Sequence, residues 1–256
     1  MSHSDISSSA NERMKRLVRL RDRAYREREG VFVVEGDLLF DRARASGLTP
    51  LEVYTTPGHP IQGESIVVEP EVLDRVSYRN RSQDLIAVFE NYSTPIDEIQ
   101  LVSNPLILVA ESVEKPGNVG AMLRTADAVG ATALITTGSV VDVFNPNVIR
   151  SSIGAIFSVP YTHAELPQLV DWLKQNAIEL VAAVPGIDTA YWSADLTESL
   201  AILVGAEDIG LSKEARHAAD RLVSIPMAGT ADSLNVSVSA ALMVFEARRQ
   251  RSASDD

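Results

Sequence analysis

The 256-residue sequence has no cysteine, only 5% aromatic residues and no long apolar run. Without cysteine there is no disulfide framework, no thiolate zinc site and no cysteine nucleophile. That suits the reducing cytosol, where disulfides are rare. The longest apolar runs, near 105–110 and 199–206, fall far short of the ~20 residues a membrane-spanning helix needs. The N-terminus, Met1-Ser2-His3-Ser4-Asp5-Ile6, lacks the basic-then-apolar order of a secretion signal, and residues 1–10 read as a disordered Ser-rich lead. A soluble, cytoplasmic protein without membrane contact is expected. The four histidines, His3, His59, His163 and His217, are scattered without ligand spacing, so no metal is expected, and His59 and His217 read as surface residues.

Positive charge is also scarce. The chain has 23 Lys and Arg against 35 Asp and Glu, a net charge of −12. That balance argues against a simple nucleic-acid binder, because neutralising phosphates takes Lys and Arg. Distribution tempers the objection. Arg13, Lys15, Arg16, Arg19, Arg21, Arg23, Arg26 and Arg28 face only Asp22 and Glu27, a local net of +6. Arginine forks onto phosphate and stacks on bases, which suits RNA. A solvated helix face explains the same charges about as well.

What the chain does have is core-forming material: 45% hydrophobic residues, arranged in short apolar runs. Residues 11–28 read as one basic helix. Strands are expected at Val31–Val34, Val53–Thr55, Ile66–Val68 and Leu85–Phe89, with a helix from Gly36 to about Ser46. These describe a small α/β domain over residues 1–95. Beyond it, apolar runs at Leu106–Ala110, Ala133–Thr137, Leu180–Val184 and Ala201–Gly205 alternate with helical stretches at about 118–129, 145–152, 165–176 and 212–219, and a last helix spans 233–250. Unbroken apolar strands with crossover helices predict a second α/β domain, 104–251, built on a parallel sheet covered on both faces.

Three stretches at strand-to-helix junctions carry chemistry. The first, Lys115-Pro116-Gly117-Asn118-Val119-Gly120-Ala121-Met122-Leu123-Arg124-Thr125, follows a strand and opens a helix. Asn118 reads as its N-cap, and Arg124 lies one turn beyond Gly120 on the same side. It lacks the G-x-G-x-x-G of dinucleotide binders, which disfavours a nicotinamide oxidoreductase. The second, Gly205-Ala206-Glu207-Asp208-Ile209-Gly210, ends a strand on a glycine and then offers a carboxylate. The third runs from Ile225-Pro226-Met227 to Ser233-Leu234-Asn235-Val236-Ser237-Val238, where Ser233 reads as N-cap and Asn235 as a first-turn residue. Taken singly, the second and third stretches are equally well explained as an ordinary turn or cap, and the first is better explained so.

Their order and residue content resemble the three motifs of the SpoU/TrmH RNA methyltransferases over roughly residues 104–250. Ile149-Arg150-Ser151-Ser152-Ile153-Gly154-Ala155 is similar to the Arg-x-Ser-x-Gly-Ala segment of that family. The basic helix and Phe32-Val33-Val34-Glu35-Gly36 look like the N-terminal RNA-binding domain of members that act on ribosomal RNA. The resemblance implies a SPOUT fold with a deep trefoil knot, a homodimer, and S-adenosylmethionine as the cofactor, held by Gly205, Ile225, Met227 and Leu234. It further implies 2′-O-methylation of a ribose in RNA, most naturally 23S-type ribosomal RNA, with Arg124, Glu207, Asn118, Ser233 and Asn235 as catalytic residues. Arg124 would activate the 2′-hydroxyl and Glu207 would orient its guanidinium. Because arginine normally stays protonated, Arg124 either loses its proton transiently or stays charged and stabilises the alkoxide. RNA contacts are expected from Arg13, Lys15, Arg16, Arg19, Arg23 and Arg150. Ala206 departs from the family, which often has Asn or Ser there. The competing readings are a transfer-RNA ribose methyltransferase and a non-enzymatic RNA-binding protein using the SPOUT fold as a dimerisation scaffold.

Overall fold

The computed structural model describes residues 5–78, 84–139 and 141–254, so His3 lies outside the described residues. The chain divides into two compact units. The first comprises residues 1–92 together with 142–157, and the second 93–141 together with 158–256. The chain therefore enters the first unit twice.

The first unit contains helices α1 (Glu12–Arg19) and α2 (Arg23–Glu29), strand β1 (Val31–Glu35), helix α3 (Asp37–Ala45), strands β2 (Pro50–Thr55) and β3 (Ile66–Val67), helix α4 (Pro70–Val76) and strand β4 (Leu85–Glu90). Its sheet runs β1-β4-β2-β3. Strand β4 pairs antiparallel with both β1 and β2, which explains why Leu85–Phe89 is buried throughout. The single helix expected over 11–28 is two helices. Asp22 takes an extended conformation and its carboxylate caps α2 by accepting from Tyr25 N at 3.0 Å. Nor are residues 5–10 loose as expected: Ile6 is buried, bridges to Val68, and its carbonyl accepts from Glu69 N.

The returning segment 142–157 is held by an aromatic stack and a buried ion pair. Phe32, fully buried, stacks on Phe144 and Phe157 at centroid distances of 4.6 and 6.0 Å and on Phe89 at 5.5 Å. The Arg26 guanidinium, 2% exposed, donates to the carbonyls of Leu20 (2.7 Å) and Arg21 (2.8 Å) and pairs with the Asp142 carboxylate. Three acceptors meet one buried cation, so removing the cation strands them all.

The second unit runs β5 (Leu106–Glu111), α5 (Pro116–Val129), β6 (Ala133–Thr137), then, after α6 (Pro146–Ser151) in the returning segment, β7 (Tyr161–His163), α7 (Leu166–Gln175), β8 (Glu179–Ala183), β9 (Leu200–Gly205), α8 (Lys213–Ala218), β10 (Arg221–Val223) and α9 (Val236–Ser254). Its six strands form an all-parallel sheet in the order β10-β8-β9-β5-β6-β7. Alternation along β5 sends Ile107 and Val109 into the core shared with Leu169, Trp172 and Leu173 of α7. Helices α5 and α9 pack against each other, and α9 also packs on β5 and β9. Both faces are covered, as a parallel sheet requires. From β5 the chain first builds outward through β6 and β7, then returns to lay β9 on the other side of β5. The carboxyl ends of β5 and β9 thus flank the point where strand order reverses, the general place for a ligand in such sheets.

Replacing Arg26 with alanine is expected to destabilise the protein by about 3–5 kcal/mol in urea denaturation, because the partly buried Asp142 and two backbone carbonyls lose their shared donor. The double variant Arg26→Met/Asp142→Leu should recover most of that loss, and a single-variant effect under ~1 kcal/mol would contradict the role given to the pair.

Candidate active site

Glycine geometry shapes the end of β9. A Cβ built on Gly205 would lie 2.4 Å from Gly210 C and 2.5 Å from Leu211 N, so the loop folds back onto the strand end at a distance only glycine permits. Glu111, which ends β5, is buried and fixes the same loop: its two oxygens accept from Ser212 N (2.7 Å) and Ser212 Oγ (2.6 Å). Ser212 Oγ in turn caps α8 by accepting from Ala215 N at 3.0 Å. The folded-back loop opens a cavity of about 370 Å³. Gly205, Ile225, Met227 and Leu234 all line it, as does Ser233. Glu207 and Asp232 add carboxylates to a largely apolar wall. A glycine cradle for close backbone approach, apolar side chains and acids suit S-adenosylmethionine, which has an aromatic base and a cationic sulfonium.

The Glu207 carboxylate is the hub of the site. It accepts from Asn118 Nδ2 at 3.2 Å, from Asn235 Nδ2, from the Val236 backbone N–H and from the Lys115 ammonium. Asn235 Nδ2 also donates to Asn118 Oδ1 at 3.1 Å. The Lys115 ammonium, followed by Asn118, holds the Glu207 carboxyl below the usual carboxylate range, with burial opposing. A second cavity, about 250 Å³, opens on the other side of the hub between Ser112, Val113, Glu114, Lys115, Ser139 and Asp208. Ala206, Glu207, Ile209 and Val236 line both cavities. Ser112, at the corner after β5, is held at φ 53°, a left-handed conformation that costs a non-glycine residue energy.

Local roles differ from those expected. Asn118 does not cap α5, which starts at Pro116 after Lys115; it lies in the first turn and points its amide at Glu207. The N-cap of α9 is Asn235, whose Oδ1 accepts from Ser237 N (3.0 Å) and Ser237 Oγ (2.6 Å), so the helix begins at Val236 and Ser233 belongs to the preceding loop. Arg124 stands apart from the hub. It is exposed, and no hydrogen bond or ion pair engages it among the described residues. Six residues after Asn118, it projects about 120° around α5 from the asparagine, so Glu207 bonds Lys115 instead of orienting its guanidinium. Reading the sequence passed over Lys115 and Glu111. The signal for Glu111 was a lone acid closing an otherwise apolar strand, and for Lys115 a cation immediately before the N1 proline of a motif helix.

The basic stretch is largely compensated internally. Lys15 pairs with Glu12 (2.7 Å), Arg23 with Glu27 (2.7 Å), and Arg16 with both Glu29 (3.1 Å) and Glu52 (2.7 Å). Arg21 Nη2 donates to the carbonyls of Arg75 (2.9 Å) and Ser77 (2.5 Å), and Arg26 is buried. Arg13 and Arg19 are exposed without a side-chain ion pair among the described residues, and Arg150 donates to Asn147 Oδ1 at 2.5 Å. His217 is exposed as expected, but His59 is not a surface residue: its side chain is 7% exposed, and Nε2 lies 2.8 Å from Asp37 Oδ1.

A parallel sheet with a switch-point cavity, backed by an asparagine–glutamate hub, forms a candidate small-molecule site, and comparison with known proteins gives the chain a family. Residues 105–245 match the SpoU rRNA Methylase family, and residues 11–87 match the MRM3-like substrate binding domain. The chain belongs to the SpoU rRNA methylase family. It is 34% identical to the 23S rRNA (uridine(2479)-2′-O)-methyltransferase of Streptomyces viridochromogenes, over 84% of this chain and 76% of that one. It is 28% identical to the Bacillus subtilis 23S rRNA (guanosine(2553)-2′-O)-methyltransferase RlmP, over 95% and 98%. Among solved structures, the SpoU methyltransferase AviRb of S. viridochromogenes in complex with AdoMet superposes with a TM-score of 0.86 at 30% identity, covering 95% of this chain and 99% of that one.

Two outcomes follow from this geometry. Gly205→Ala should weaken S-adenosylmethionine binding by about tenfold or more in calorimetry, since the added Cβ displaces the Gly210–Leu211 backbone. Because the Glu207 carboxyl is held low, its ion-pair contribution is present above the ordinary carboxylate range and fades as pH falls through the lowered value. The melting-temperature gap between wild type and Glu207→Gln should therefore hold from neutrality to about pH 4 and close only below it.

Proposed function

We propose that the protein transfers the methyl group of S-adenosylmethionine to a ribose 2′-hydroxyl of 23S-type ribosomal RNA. The observation that carries the reading is the pair of adjoining cavities sharing the Glu207 wall, one suited to the methyl donor and the other open for a nucleotide. Ribosomal rather than transfer RNA is favoured because relatives matched along both units are named for 23S rRNA.

S-adenosylmethionine, when bound, supplies an activated methyl on a good leaving group. What remains for the protein is alignment and removal of a proton. Gly205, Ile225, Met227 and Leu234 hold the donor, and Ser233 closes the loop over it. Asn118 and Asn235, locked together through Glu207, position the acceptor ribose. The Arg124 guanidinium supplies positive charge to the 2′-oxygen as its proton passes to solvent water. Its exposure leaves the guanidinium available to incoming RNA.

The first unit serves as the RNA-binding domain, with Arg13 and Arg19 as its open cations. Lys15, Arg23 and Arg150 join them by exchanging exposed or part-exposed partners, and Arg16 organises the helix pair. The catalytic unit is read as a trefoil knot. Its support is the loop after β8, which pairs Tyr191 and Thr189 with Ser224 and holds the end of α9 through Gln250 and Arg251. A homodimer is supported by α9, where Val238 and Phe245 are 46% and 50% exposed beside Leu242 and Trp192, more apolar surface than a solitary helix face keeps in water. The cytoplasm, where ribosomal RNA is modified, is the proposed location. No described helix is long and apolar enough to cross a membrane.

Arg124→Ala should reduce methyl transfer by at least ~10²-fold while leaving S-adenosylmethionine affinity unchanged by calorimetry. Ribose-methylation mapping in a strain lacking the gene should show one 2′-O-methyl missing from 23S rRNA. Identical rRNA maps with a missing tRNA methyl would transfer the assignment to tRNA.

A further inference from the structure

The smaller cavity poses an electrostatic problem that methyl transfer does not by itself resolve. Its lining holds three carboxylates, Glu114, Glu207 and Asp208, against one cation, Lys115. A ribose acceptor arrives with phosphodiesters on either side, and a rim of that charge repels them.

Lys115 is placed to answer this. Its side chain is 66% exposed even while its ammonium pairs with Glu207, itself 21% exposed. Glu207 has three further donors, Asn118 Nδ2, Asn235 Nδ2 and the Val236 N–H, all neutral and all from elements that also frame the site. The carboxylate therefore keeps its position if the ammonium departs. The ammonium is the exchangeable member of the hub, because an exposed ion pair contributes little and a phosphate offers it full charge and several acceptor oxygens.

We propose that Lys115 is a phosphate ligand for the RNA, moving from Glu207 to the phosphodiester next to the target ribose, and that the smaller cavity is the subsite for that nucleotide. This rests on the RNA-methylation reading above. The exchange has a second consequence. Glu207 lines both cavities, so once its ammonium has left it presents an uncompensated negative charge to the cavity meant for a cationic sulfonium. RNA and S-adenosylmethionine then favour each other's binding. Lys115 is in this sense both an RNA contact and the link between the two ligands.

The test uses full-length wild type, Lys115→Gln and Lys115→Arg with 23S rRNA purified from a strain lacking the gene. RNA affinity is measured by filter binding across a salt series, and S-adenosylmethionine affinity by calorimetry without RNA. Lys115→Gln should weaken RNA binding about fivefold or more and flatten the salt dependence by about 0.7 to 0.9 in slope, while binding S-adenosylmethionine no less tightly than wild type. Lys115→Arg should restore RNA affinity and slope. Unchanged RNA affinity and slope in Lys115→Gln, with a wild type that binds and methylates the RNA, would overturn this proposal alone. Loss of S-adenosylmethionine and RNA binding together would also overturn it, by reducing Lys115 to a prop for the hub. A wild type that neither binds nor methylates RNA would overturn both this proposal and the function it rests on.

Discussion

One carboxylate ties together three stretches of chain that are far apart in sequence. Glu207, at the end of a central strand, accepts from the first turn of α5, from the cap of α9 and from the lysine that precedes α5. Each of those groups would otherwise be an unmet donor at a helix start or a loose side chain at a surface. Bonded to a single acceptor, they set the relative positions of two helix N-termini and a strand end. The two cavities exist because that arrangement leaves space on either side of the hub. The loop carrying Glu207 is in turn held by the Gly205–Gly210 approach and by Glu111 on Ser212. Backbone proximity and a second buried acid therefore stand behind the first.

Electrostatics in this molecule are local. The overall charge of −12 says little, because the groups that matter are paired within a few ångströms. In the first unit the basic residues are mostly spent on structure: Arg26 buried against Asp142, Arg21 on carbonyls, Arg16 between two glutamates. The +6 stretch is thus a scaffold with a few open cations, and not an uninterrupted basic face. In the second unit, Lys115 is the one cation among three acids lining the smaller cavity, and it is paired with Glu207.

Much of the secondary structure was legible in the sequence because hydrophobic period and punctuation agree. The runs Leu106–Ala110 and Ala201–Gly205, bounded by a charged residue and a glycine, read as buried parallel strands and are such, each one residue longer in the structure. Legibility failed where a short polar side chain decided the matter. Asp22 splits one basic helix into two, since a β-region cap is invisible to a pattern of charges. Ser233 and Asn235 are both good caps, and only the hydrogen bonds to Ser237 choose between them. Strand β7, three residues at a sheet edge, has too short a pattern to show any period.

The sequence by itself determined the alternating strands and helices, the three motif segments and the family they resemble, because these depend on residue type and spacing along the chain. It could not determine who bonds whom across 13 to 116 residues of chain. That Lys115, and not Arg124, sits on Glu207, that Asp142 of the returning segment meets Arg26, and that Arg16 is shared by two glutamates were decided by tertiary structure alone. The reason is physical: a charged side chain takes the nearest partner that folding leaves within reach, and that distance is a property of the packed helices and strands.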